Sequence, residues 1–301
     1  MPADFNMTAV LTLMYAVFLS QIYLISVHYP RKMCARIREV IEAYPPADYP
    51  KLYPGPYAWY AESAKSRGLS LFMAINYAIA ALGLVILGVM LGTGYEPALL
   101  GGDEVFVMLY FMLQMCPLFY IQIAEFRHYA LMRQQFAETR RSASLAPRRM
   151  SQFVPPKLVA LAALLFALWL VFYLSGKGDI ATWGSEVYAT LVMITGMNIF
   201  YVLYMRRMVF GKKIDPYRAD EDRDRQIRVM GKIYVLSSIG VSLFLALTQA
   251  ADQYGFEIFD PVLVSFYLQL CIIGGLGFVF RDISVNSLNF EVYRKQTASQ
   301  P

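Results

Sequence analysis

The chain has 301 residues, of which 57% are hydrophobic and only 16% charged, with a mean hydropathy of +0.43. Soluble globular chains carry about 25% charged residues, so this composition excludes an ordinary soluble domain. The formal net charge of +5 comes with mixed signs in the loops, which argues against nucleic-acid binding because that needs a one-sided basic surface.

In chain order, the apolar runs are Thr8–His28, Leu69–Leu91, Val105–Phe126, Leu158–Leu174, Val187–Met205, Ile233–Ala251 and Val262–Phe280. Their lengths suit a bilayer core of roughly 30 Å, which takes about 17–25 helical residues. Lipid cannot hydrogen-bond a bare backbone, so each run is expected to be a helix. The predicted fold is all-α and polytopic, a single seven-helix transmembrane domain over residues 1–301 built as one helix plus three hairpins. No Lys or Arg precedes the first run, so the positive leader of a secretory signal is missing and that run is expected to stay as a span.

Orientation follows from the connections. Tyr29–Gly68, Arg127–Lys157, Arg206–Lys232 and the tail from Arg281 together hold 26 of the 27 Lys and Arg, and with Glu125 at the inner end of the third run that side has 13 acidic residues, a net +13. The other side holds Lys177 against nine acids, a net −8. The basic side is therefore expected to be cytoplasmic, which puts the N-terminus outside and the C-terminus inside, as in a bacterial inner membrane. Acids open the spans that begin outside, at Asp103-Glu104, Glu186 and Asp260-Pro261, where they favour the positive end of the helix dipole.

The inner connections are the long ones. Residues 29–68 divide into Lys32–Tyr44, whose Cys34, Ile37, Ile41 and Tyr44 recur at helical spacing, and a Pro/Tyr-rich loop. The first part predicts an amphipathic helix lying on the inner leaflet. The loop carries five prolines among Tyr44, Tyr49, Tyr53, Tyr57, Trp59 and Tyr60. Prolines at that density forbid a helix. So many aromatics are expected to pack on something, either the bundle itself or a partner, and Tyr49, Tyr53, Tyr57 and Trp59 are the docking candidates. The next inner connection continues the third helix past Phe126 and breaks at Ser142–Pro147. The one after it, from Gly211 to Lys232, reads as a solvated face entering the sixth helix, and residues 281–301 form a cytoplasmic tail.

No Asp, Glu, Lys or Arg lies well within any run, which weakens proton-coupled transport and voltage sensing. The neutral polar residues near mid-depth are Gln21, Gln114, Asn198, Ser242 and Gln269. They either hydrogen-bond helix to helix or line a cavity for a neutral or amphiphilic solute. Gly88 and Gly92 in the second run, and Gly274, Gly275 and Gly277 in the seventh, are expected to permit close helix contact. For chemistry, Glu125-x-x-His128 is a single metal-ligand pair where bundled di-iron sites need two with further carboxylates. Cys34, Cys116 and Cys271 fit neither a metal knuckle nor a disulfide framework. No cofactor or metal is expected. The expected role is a non-catalytic accessory or sensory subunit that sits in the lipid bilayer and presents a cytoplasmic surface to a protein partner. A permease or channel is the alternative, and a membrane enzyme with a cytoplasmic-face site comes third.

Overall fold

The structure is a computed structural model that describes residues 7–55, 57, 67–95, 103–135 and 148–295. Among them there are helices and no strand. Seven helices are long and apolar enough to cross a membrane, and we number them α1 (Met7–Ala43), α2 (Leu69–Thr93), α3 (Asp103–Gln135), α4 (Pro156–Ser175), α5 (Ser185–Phe210), α6 (Asp220–Tyr254) and α7 (Glu257–Asp282). The chain thus has the architecture of a multi-pass membrane protein.

Its surface is apolar and its interior partly polar. Val192 is 71% exposed, while Gln21 is 0% and Gln114 1% exposed. Large apolar side chains on the outside and paired polar ones inside suit lipid, because a polar group facing hydrocarbon has no partner there.

Helix ends follow local chemistry. Gly94 after α2 and Gly255 after α6 take left-handed conformations, with φ of 64° and 73°, which only glycine adopts without strain. Asp220, Glu221 and Asp222 occupy the first turn of α6, where carboxylates suit the helix dipole.

The first run differs from expectation. The helix predicted over Lys32–Tyr44 is present, but it continues α1 instead of forming a separate element. Proline lacks an N–H and clashes with the carbonyl four residues before it, so Pro30 should end a regular helix. A π turn over Leu24–His28 precedes it and widens the helix, which then runs on to Ala43. At about 1.5 Å per residue the 37 residues of α1 reach about 55 Å, well beyond a hydrocarbon core of about 30 Å. A second π turn, Ile273–Gly277, interrupts α7.

Packing groups the helices otherwise than by sequence neighbours. Phe18 and Ile22 of α1, Ile79 and Leu87 of α2, Val107 and Tyr110 of α3 and Val264 of α7 share one core. Trp169 of α4, Ile194 of α5 and Val241 of α6 share another, and α4 packs most extensively against α6. The α6–α7 pair joins the two groups, with Phe244 stacked on Tyr267 at a ring separation of 4.3 Å.

Candidate functional site

Three of the predicted mid-depth residues meet. Gln21 of α1 donates through Nε2 to Gln114 Oε1 of α3 at 3.0 Å, and Gln114 Nε2 donates to Ser26 Oγ at 2.9 Å. Ser265 of α7 donates to Gln21 Oε1 at 2.5 Å. One turn on, Gln269 Nε2 donates to the Val17 carbonyl at 3.0 Å, and its Oε1 accepts from Ser20 Oγ at 3.0 Å. Gln21, Ser26, Gln114, Ser265 and Gln269 are all buried. Each amide oxygen of the three glutamines and each amide nitrogen has a protein partner. The arrangement ties α1, α3 and α7 together.

Asn198 and Ser242 belong elsewhere. Ser238 of α6 donates to Asn198 Oδ1 of α5 at 2.5 Å, Asn198 Nδ2 donates to the Ile194 carbonyl at 3.0 Å, and Ser242 donates to the Ser238 carbonyl at 2.9 Å. The five polar residues therefore form two separate networks, one in each helix group.

The glycines also redistribute. A methyl group added at Gly88, Gly92, Gly274 or Gly275 would meet nothing within 4 Å, so these four do not mediate the close contacts expected of them. Gly277 does, since its added carbon would lie 3.1 Å from the Tyr29 hydroxyl of α1. Gly83, which the sequence did not single out, lies directly under the Tyr110 hydroxyl, and that hydroxyl donates to the Ile79 carbonyl at 3.0 Å.

At the basic end the connections build a cap. Tyr49, Met132, Val285, Phe290 and Tyr293 form its core, with Val40, Tyr44, Leu52, Tyr129 and Tyr217 packed around them. The Pro/Tyr loop, the ends of α1 and α3, the α5–α6 connection and the tail all contribute. Tyr49 is 8% exposed, and its hydroxyl donates to Glu291 Oε1 at 3.0 Å. The Tyr53 hydroxyl donates to the Tyr44 carbonyl at 2.7 Å, and the Tyr57 hydroxyl to the Ala124 carbonyl at 3.2 Å. These three tyrosines thus point into their own protein, where they hold the loop against the bundle. Trp59 lies outside the described residues. Burial pushes the Tyr53 phenol up to about 12, and the bond to Glu291 raises that of Tyr49.

The tail is strapped down by polar contacts. Tyr293 donates its hydroxyl to Asp215 Oδ2, Arg225 donates to the Ser287 carbonyl at 2.6 Å, and the Asn289 N–H donates to Asp222 Oδ2 at 2.8 Å. The Lys295 N–H donates to the Asp48 carbonyl at 3.0 Å. Tyr44 stacks on Phe290 at 4.0 Å.

Asp215 is 4% exposed and also accepts from the Tyr217 N–H at 3.0 Å, while Arg218 Nε lies 3.7 Å away. Burial alone would weaken the Arg218 hold on its proton, but Tyr129, Tyr293 and Asp215 outweigh it and strengthen that hold. Burial, with Asp215 beside it, likewise raises the Tyr293 phenol. The Gly211–Lys232 connection is therefore not simply the solvated face that its alternating charges suggest. Opposite signs there pair with each other and with the tail, which lets Asp215 and Asp222 be buried.

Glu125 and His128 take separate partners: Glu125 Oε1 accepts from the Tyr129 hydroxyl at 2.8 Å, and the His128 ring packs edge-on against Tyr57 at 4.6 Å. Among the described residues no group of three His, Cys, Asp or Glu could hold a metal ion.

Sequence reasoning missed Ser26, Ser265, Asp215 and Tyr293. Ser265 had a signal, standing one turn before Gln269 on the same face. Ser26 had none, because five residues from Gln21 is about 140° round a regular helix and only the π turn brings the two together. Compared with known protein families, with curated proteins and with solved structures, the chain finds no match.

Proposed function

We propose that the chain is a multi-pass protein of a bacterial inner membrane, with its N-terminus outside and its basic end in the cytoplasm. In this reading it acts without chemistry of its own, as an accessory or sensory subunit that offers its cap to a protein partner. The positive-inside bias supports the orientation. The observation that carries the role is the cap itself, in which inner connections and tail are bound into one hydrogen-bonded unit around a shared core. A permease would need a polar path, and the mid-depth amides take protein partners on neighbouring helices and backbone carbonyls instead.

The test places a photo-crosslinking residue at Asp48, Asn286 or Lys295, all exposed on the cap, and at Lys177 on the opposite end. The cap positions are expected to give a discrete protein adduct in cells, and Tyr293→Ala, which loosens the cap, to abolish it. No adduct from the cap, or equal adducts from Lys177, overturns the reading. A periplasm-active reporter is expected to be silent after Pro301 and active near Gly178, and the opposite pattern overturns the orientation.

A further inference from the structure

Between α6 and α7 runs a cavity of about 270 Å³, lined from Ile233 to Leu247 on one helix and from Leu263 to Gly274 on the other. The fourteen-residue step along α6 makes it about 20 Å long. It opens on the outside of the bundle, where Leu236, Leu243, Leu247, Phe266 and Leu270 are exposed. Its walls carry no ionisable carboxylate or amine. Gly274 creates part of the space: a methyl group built there would touch nothing within 4 Å. A long, narrow, apolar slot facing lipid has the shape of one hydrocarbon chain.

Charge marks one end. Lys232 directly precedes the lining residue Ile233 and shares a helix face with Leu236, one turn on. Arg228 lies one turn further out. Both are exposed, and neither makes a hydrogen bond or ion pair among the described residues. Arg281 follows Gly274 by seven residues on α7, its guanidinium over the Phe278 ring and 2.9 Å from Asp282. The opposite end of the slot is flanked by Asp252, Glu257 and Asp260. Basic pockets between membrane helices at the cytoplasmic face suit anionic lipid headgroups.

We propose that α6 and α7 bind one anionic phospholipid from the leaflet at the basic end, with an acyl chain in the slot and its phosphate against Lys232 and Arg228. The proposal rests on the membrane reading above.

The test uses the full chain purified in detergent, to which dioleoyl phosphatidylglycerol or dioleoyl phosphatidylcholine is added. Native mass spectrometry counts retained lipid. Phosphatidylglycerol is expected to be retained at one per chain and phosphatidylcholine not. Arg228→Gln with Lys232→Gln is expected to weaken retention about thirtyfold. Gly274→Leu, which fills the slot, is expected to abolish it while the lipid-free melting temperature stays unchanged. Equal retention of the two lipids, or indifference to both variant sets, overturns the proposal. So does a dimer of the parent chain that Gly274→Leu dissociates, because the slot then seats a second copy. Extraction of the chain from cells by alkaline carbonate would refute the membrane reading itself, and it is scored separately from lipid retention.

Discussion

Replacing Gln114 with Leu tests whether the α1–α3–α7 network is an energetic unit. Leucine has a similar size and no polar atoms, so packing is nearly kept. The change removes the acceptor for Gln21 Nε2 and the donor to Ser26 Oγ. Gln21 cannot turn to find another acceptor without losing Ser265, which donates to its other amide atom. An orphaned buried donor costs about 1–3 kcal/mol. Interhelical side-chain bonds in membrane proteins average about 0.6 and reach about 1.7 kcal/mol, because the unfolded chain in lipid also finds partners. The second figure is the more apt here, so Gln114→Leu is expected to cost about 1–2 kcal/mol. The double variant Gln21→Leu/Gln114→Leu is expected to cost less than the sum of the singles, since no glutamine is left unpaired between α1 and α3. Equilibrium unfolding in mixed micelles with a rising dodecyl sulfate fraction measures all three. Additivity within about 0.5 kcal/mol would refute the coupling.

Gly83→Ala is expected to destabilise by about 1–3 kcal/mol because its methyl group displaces Tyr110, whereas Gly88→Ala is expected to be neutral or slightly stabilising. The same unfolding assay compares them, and equal effects would refute the close contact. Tyr293→Phe removes one of the donors to the buried Asp215, at a cost of about 1.5–3 kcal/mol for a bond to a charged group. Hydrogen exchange of the tail amides at 285–293 is expected to speed up, and an unchanged rate would show that the strap does not depend on this bond. Stability is also expected to fall in alkali. The Tyr53 phenol is neutral in both states below its ordinary 10.0, so its contribution is intact there. Between 10.0 and about 12 only the unfolded chain ionises, and stability drops as pH rises through that window. Ultraviolet titration of the folded protein should show the late phenol, and Tyr53→Phe should flatten the drop; a drop unchanged in that variant would assign it to other groups. Finally, with Cys34, Cys116 and Cys271 all free, dithiothreitol is expected to leave melting and gel mobility unchanged, and a shift would reveal a disulfide.

The seven helices were legible in the sequence because lipid acts on each segment alone: a stretch of apolar residues of the right length must form a helix whatever surrounds it. Gln21, Gln114, Asn198, Ser242 and Gln269 were legible for the same reason, as polar residues inside such stretches. What they bond to was not. Gln21 and Gln114 are 93 positions apart and Gln21 and Ser265 are 244 apart, and no local pattern encodes a partner at that distance. The π turn that carries α1 past Pro30 and swings Ser26 toward Gln114 was equally hidden, because periodicity arguments assume one regular helix throughout. At the basic end, the richness of the Pro/Tyr loop in aromatics announced a packed segment. Only the tertiary structure gave it a neighbour, by bringing the tail, α3 and the α5–α6 connection to the same place, so that Tyr49 met Glu291 and Asp215 met Tyr293. Burial of a lone carboxylate is too costly to infer from a loop of alternating charges, and it becomes affordable only when distant segments supply its donors.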